Sequence, residues 1–152
     1  MGLYGVDLAR ATVTTTEAAG VVQATITTPR RLLHVKSVIG CNTAGTDETY
    51  QTLLAFLTTG APTGGTGVTP APLQGNPASL CDATEGAITV DPTQGTDIDR
   101  VNHHRRTTVI LASDPGKEPI SSAADNAGFG VFTPIAPTLT AGITSSMHVI
   151  EE

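Results

Sequence analysis

Residues 143–150 alternate without a break: Ile143, Ser145, Met147 and Val149 fall on one side of an extended chain, Thr144, Ser146, His148 and Ile150 on the other. That two-residue period is the mark of a β-strand, whose successive side chains point to opposite faces. The same period runs through residues 21–28, where Val22, Ala24 and Ile26 oppose Gln23, Thr25 and Thr27. Pro29 ends the run, because proline cannot donate to a ladder. Residues 31–39 place Leu33, Val35 and Ile39 on one face and His34 and Lys36 on the other, and Gly40 closes them. These two stretches are near enough in sequence to pair antiparallel.

Residues 50–58 carry Leu53, Leu54, Phe56 and Leu57, which satisfy a helical stripe as well as a strand buried on both faces, and Asp47-Glu48 suits a helix start. The strand is the reading taken, with turns at Thr43-Ala44-Gly45 and Gly60-Ala61-Pro62. Ala87-Ile88-Thr89-Val90 reads as a short strand cut off by Asp91-Pro92. Residues 107–112 form a longer one, ended by the turn Asp114-Pro115-Gly116, and Gly128-Phe129-Gly130-Val131-Phe132 another. Roughly seven or eight short strands with Gly/Pro turns predict an all-β chain: a single antiparallel β-sandwich domain over residues 1–152, jelly-roll-like. Residues 60–77 are rich in glycine and proline, and they read as one long extended loop lying on a neighbouring subunit. Residues 1–10 read as an N-terminal arm, and the closing strand ties the far end of the chain into a sheet.

Composition sharpens this picture. The chain has 26 threonines among 152 residues, 3% aromatic residues and no tryptophan. Its core is therefore built from aliphatic side chains and threonine methyls, which bring less apolar area each than rings do, so help from neighbouring copies is expected. The net charge of −6 argues against nucleic acid as a partner, since phosphate binding needs clustered Lys and Arg. The one basic cluster, Arg100 to Arg106, reads as a solvated loop or strand start. No stretch approaches the ~18 apolar residues of a membrane span, and the first residues carry no signal-peptide pattern. Cys41 and Cys81 lack metal-site spacing. They can pair only if the fold brings them together, and the reading preferred is two small buried thiols in a protein assembled in a reducing cytoplasm.

Catalytic chemistry finds little to stand on. No nucleophile elbow, metalloprotease helix or phosphate loop is present, and Gly64-Gly65-Thr66-Gly67 lacks the Lys-Ser/Thr ending of the last. Asp91, Asp97 and Asp99 are close in sequence but do not match a calcium-hand loop, and they read as turn carboxylates. His103 and His104, being adjacent, point to opposite faces of any strand and cannot share a metal there. His34 and His148 fall on the polar faces of their strands. Ser121-Ser122 and Ser145-Ser146 have no base that spacing can justify. The expectation is no enzyme, no cofactor and no metal.

The run Pro-Arg-Arg-Leu-Leu-His-Val at 29–35, Thr-Pro-Ala-Pro-Leu at 69–73 with Pro-Ala-Ser at 77–79, and the closing Val-Ile-Glu-Glu at 149–152 resemble a family of small tailed-bacteriophage virion proteins with one β-sandwich domain. The chain departs from that pattern at Ala136-Pro137-Thr138-Leu139-Thr140 and at Asn102-His103-His104. The resemblance implies a capsid decoration (cement) protein of the virion surface that bridges major capsid protein subunits, oligomerises as a dimer or trimer, and uses neither nucleic acid nor membrane. On that reading the partner-binding residues lie in the two flexible segments: Leu3, Tyr4 and Val6 at the start, and Pro62, Val68, Pro70, Pro72 and Leu73 in the long loop. A receptor- or glycan-binding module of a fibre or tail is the rival, weakened by the shortage of aromatic residues that stack on sugars.

Overall fold

The computed structural model describes residues 1–13, 18–25, 30–41, 48–135 and 141–152. Eleven strands form among them: β1 (Gly2–Val13), β2 (Ala18–Ala24), β3 (Leu32–Cys41), β4 (Thr49–Thr59), β5 (Thr63–Val68), β6 (Ala71–Pro72), β7 (Cys81–Val90), β8 (Thr93–His104), β9 (Val109–Ala112), β10 (Gly128–Phe132) and β11 (Ala141–Glu151). They make two sheets, sheet A in the order β6-β1-β11-β3-β9 and sheet B in the order β5-β7-β2-β10-β4-β8. All the strand pairings are antiparallel. Without the inserted β5, β6 and β7, the rest stand as β1-β11-β3-β9 against β2-β10-β4-β8, which is the strand order of a jelly roll. The insertion widens both sheets on the same side, β6 beside β1 and β7 beside β2.

The main core lies between the sheets. Tyr4, Val6, Leu8, Leu32, Ile39, Ile143, Met147 and Val149 come from sheet A, and Val22, Leu54, Phe129 and Val131 from sheet B. The alternation at the end of the chain therefore holds in β11: Ile143, Ser145, Met147 and Val149 are buried, and their neighbours half-buried. Phe129 is the central ring, 5.5 Å from Phe56 and 5.6 Å from His34 between ring centres.

The central strands of sheet B, β2, β10 and most of β4, are buried on both faces, which agrees with the reading of residues 50–58 as a doubly buried strand. Val21, Leu53, Ala55, Leu57, Ile88 and Phe132 form a second apolar cluster on its outer side. The cover comes from the chain itself. β4 runs on into β5 and β7 into β8, and the two continuations pair: Thr59 opposite Thr93, Thr63 opposite Val90. Because β7 and β4 are separated in the sheet by β2 and β10, this ribbon must cross the sheet's outer face. Gln23 on β2 reaches it, its Nε2 donating to the Gly60 carbonyl at 3.0 Å. The Ala18 N–H reaches the Asp91 carboxylate at 3.1 Å.

Several expectations are corrected here. Residues 1–10 are not an arm; all but Met1 belong to β1, which lies between β6 and β11 in sheet A. Residues 60–77 are not one loop but contain β5 and β6, because the glycines at 64 and 65 take φ of +75° and let the backbone bulge while keeping its partner β7. In the described parts of the stretches 21–28 and 31–39, β2 and β3 do not pair with each other, since they belong to opposite sheets. Gln23 is buried, not solvent-facing. Asp97 and Asp99, read as turn carboxylates, lie on the edge strand β8, and of the cluster read as a solvated loop or strand start Arg100 to His104 belong to the same strand. Ile26, Pro29, the turn 43–45, Asp47 and the segment 136–140 lie outside the described residues.

His34 faces inward because of a bulge in β3. Against β11, residue His148 pairs with Lys36 and Val149 with His34, so Val35 is an extra residue on β3. Such a bulge reverses which parity faces inward. Leu32 and His34 point into the core before it, Ser37 and Ile39 after it, and Leu33 and Val35 turn out.

Candidate functional site

Leu3, Tyr4 and Val6 were expected on a free arm, Pro70, Pro72 and Leu73 on a free loop; the structure instead closes these segments on each other. β6 pairs with β1, Tyr4 opposite Pro72 and Gly5 opposite Ala71. Beyond the pair, the Leu73 N–H donates to the Leu3 carbonyl at 2.8 Å, and Asn76 Nδ2 to the same oxygen at 3.3 Å. Tyr4 and Val6 are each 3% exposed and belong to the core, so neither can be a contact residue in this fold. Pro70 is also buried. Leu3, Pro72 and Leu73 remain at the surface as one cluster, on the margin of sheet A.

Pro62 and Val68 lie elsewhere, in a cleft of about 450 Å³ between the ribbon, β5, β7 and β2. Gln23, Thr69, Asp82, Thr84 and Asn126 supply its polar side chains. The Gln23 amide there is spoken for, donating to the Gly60 and Asn126 carbonyls at 3.0 and 2.7 Å. What the cleft offers a ligand is an open, mildly polar groove with the single carboxylate of Asp82.

The buried polar groups serve to tie segments together. Glu151, buried at the end of β11, accepts from the hydroxyl of Ser79 and from the N–H of Leu80 at 3.1 Å, which holds the start of β7 against sheet A. Cys81 sits beside it, with Sγ 3.0 Å from Ser79 Oγ, and burial pushes its thiol up to about 12, so it is a poor nucleophile. Cys41 and Cys81 are not joined in a disulfide; Cys81 is buried and Cys41 half-buried. His34, 1% exposed, is bracketed by the hydroxyls of Ser37 at 2.8 Å and Ser113 at 3.2 Å, and burial lowers its pKa to about 4. Arg10 donates to the Ala18 carbonyl at 2.9 Å and toward that of Ile88 at 3.4 Å.

The three aspartates considered as metal ligands are spread over separate partners. Asp91 holds the Ala18 N–H at 3.1 Å, Asp97 the Arg100 guanidinium at 2.7 Å, and Asp99 the Arg100 N–H at 2.8 Å. Among the described residues no three His, Cys, Asp or Glu side chains gather as a metal site needs. Ser121 Oγ accepts the Leu32 N–H at 3.0 Å, a structural contact. Among the described residues no helix is long and apolar enough to cross a membrane.

The surface feature that sequence reading missed is on the outer face of sheet A. Ile110 on β9 is 60% exposed next to Val38, and Ile120 is 51% exposed across from Leu33. The register sets Leu33, Ile150 and Leu3 in line with Ile120 across this face, and Ile110 stands beside a shallow groove lined by Asp7, Val38, Gly40, Thr108, Thr144 and Ser146. The signal was hidden because Val109, Ile110 and Leu111 are consecutive aliphatics, and composition cannot tell which of three such neighbours faces water. Comparison with known proteins finds no matching family model, no matching curated protein and no matching solved structure. Fold and surface define a jelly-roll β-sandwich with one roofed face and one open face.

Proposed function

We propose that this chain is a structural virion protein, a capsid decoration (cement) protein of tailed-bacteriophage type that binds the outer surface of the major capsid protein lattice and stabilises the head. The single observation supporting this is the outer face of sheet A, which carries the exposed Ile110 and Ile120 and, at its margin, the Leu3, Pro72 and Leu73 cluster. Exposed apolar residues collected along one sheet face mark an interaction surface. A ligand that binds only the expanded lattice stabilises it by linkage, without any chemistry. The resemblance at residues 29–35, 69–73 and 149–152 points to the same class, and the sandwich architecture agrees with it. On this reading the protein acts as an oligomer on the virion, after assembly in the host cytoplasm.

The test is to add purified protein to expanded heads that lack a decoration protein. Co-sedimentation at a fixed ratio to capsid subunits, with a rise in the temperature of head rupture, supports the reading. Free protein left in the supernatant at every concentration overturns it. The glycan-binding alternative rests on the polar cleft between β5, β7 and the ribbon, but no aromatic residue lines that cleft. Binding to a glycan array that is lost on Asp82→Ala favours that alternative instead.

A further inference from the structure

Sheets A and B leave four edge strands, and three of them are blunted. β5 bulges at Gly64 and Gly65, both at φ +75°. β6 is two residues long and ends in Pro72. β8 exposes Asp97, Asp99 and Arg100, and its pairing with β4 shifts register three times. Bulges, prolines, charges and shortness are the devices by which proteins keep sheet edges from pairing with other chains. The remaining edge, β9, has only its shortness. Its sequence Val-Ile-Leu-Ala carries no charge, and its register with β3 is regular over four pairs.

The direction of its free backbone groups follows from the hydrogen bonds. Ser113 N–H donates to the Val35 carbonyl at 3.0 Å, and residues 35 and 113 are opposite in the register that pairs Lys36 with Ala112. Bonded pairs alternate along an antiparallel ladder. Leu111 and Val109 therefore bond to β3, while the N–H and C=O of Ile110 and Ala112 point away from the sheet. Both residues are exposed.

We propose that two copies of this chain associate through β9, antiparallel about a two-fold axis at Leu111, so that Ile110 of each copy pairs with Ala112 of the other. The register places each outward N–H of one copy opposite an outward carbonyl of the other, the self-complementary arrangement that a two-fold interface requires. It makes one continuous sheet across both copies and covers Ile110 with its counterpart's edge. Electrostatics favours this edge over the rest of the surface. Each copy carries a net charge of −6, yet β9 and its neighbour β3 contain no acidic residue, and Lys36 stands beside Ala112. Two acidic molecules meet here along a neutral to basic seam. The inference is independent of what the protein coats, so failure of head binding and failure of self-pairing are separate results.

The test uses the full chain in sedimentation equilibrium, with the Ile110→Lys variant alongside. Ile110 is largely exposed, so the variant keeps its fold, which circular dichroism checks. The expected result is a monomer–dimer equilibrium shifted at least about tenfold toward monomer by the lysine, as loss of an apolar contact and gain of a buried charge require. A wild-type chain that stays monomeric up to about 1 mM, or a variant that dimerises equally well, overturns the proposal. Register is tested by mixing Ile110→Cys with Ala112→Cys protein under mild oxidation. A disulfide-linked heterodimer well beyond the twofold excess over either homodimer that random pairing gives supports the register, and the statistical ratio of one to two to one overturns it.

Discussion

Gln23 and Gly60 are joined by a hydrogen bond of 3.0 Å between the side-chain amide of one and the carbonyl of the other, across 37 residues of chain. The bond fixes the ribbon to the outer face of sheet B, and the same amide also holds the Asn126 carbonyl at 2.7 Å. The second apolar cluster is buried only while the ribbon stays in place.

Gln23→Ala is therefore expected to destabilise the fold by about 2 kcal/mol, the cost of leaving two partly buried carbonyls without their donor. Urea denaturation measures the loss. Hydrogen exchange should quicken in residues 58–63 and 89–94 before it does so in β11.

His34 makes stability depend on pH below neutrality. Its folded pKa is lowered to about 4 from an ordinary 6.5. Between those values the unfolded chain takes up a proton that the folded chain refuses, so stability is full above pH 6.5 and is lost as pH falls toward 4. The effect is on the order of 3 kcal/mol. A melting series from pH 7 to pH 4 should show it, and His34→Gln should flatten the part of the slope that His34 contributes.

Gly128 admits no side chain. A Cβ there would stand 2.0 Å from the Val22 carbonyl oxygen, a backbone atom of the neighbouring strand. Gly128→Ala is expected to cost about 3 kcal/mol or more, because strands β2 and β10 must separate to take it. Gly75→Ala makes a useful contrast, since nothing lies within 4 Å of its added carbon and only its φ of +69° opposes the change. Its cost should be near 1 kcal/mol. Thermal melts of the two variants rank them.

The two thiols should differ in reactivity. Cys81 is buried with its pKa raised to about 12, and Cys41 is half-buried. At pH 8 a thiol reagent should label Cys41 in the native protein and reach Cys81 only on unfolding. Mass spectrometry of the labelled peptides reads the order directly.

Much of this fold was legible in the pattern of side chains. The alternation at Ile143, Ser145, Met147 and Val149 located β11 and its inner face, and the aliphatic run at Leu53, Leu54 and Leu57 showed a strand without a wet side. The rest was hidden for physical reasons. A bulge at Val35 shifts parity without changing composition, so His34 read as outward when it is inward. Glycines at 64 and 65 looked like a broken ladder, yet their positive φ lets the strand bend and stay paired. Tyr4 and Val6 looked like a loose arm because a strand between two others resembles an isolated apolar run until its neighbours are known. Of the residues expected to meet a partner, Leu3, Pro72 and Leu73 stay at the surface together. Ile110 went unnoticed, since only the register on β3 shows which way it points.

The crossing ribbon gives the molecule a front and a back. Its β4–β5 and β7–β8 continuations cover much of one broad side, leaving the cleft beside Pro62 and Val68, and no described strand crosses the opposite side, bordered by β9 and β6. The two broad sides therefore meet solvent with different chemistry: the ribbon's backbone with the exposed Thr58, Thr59, Val90 and Asp91 on one, the side chains of sheet A on the other.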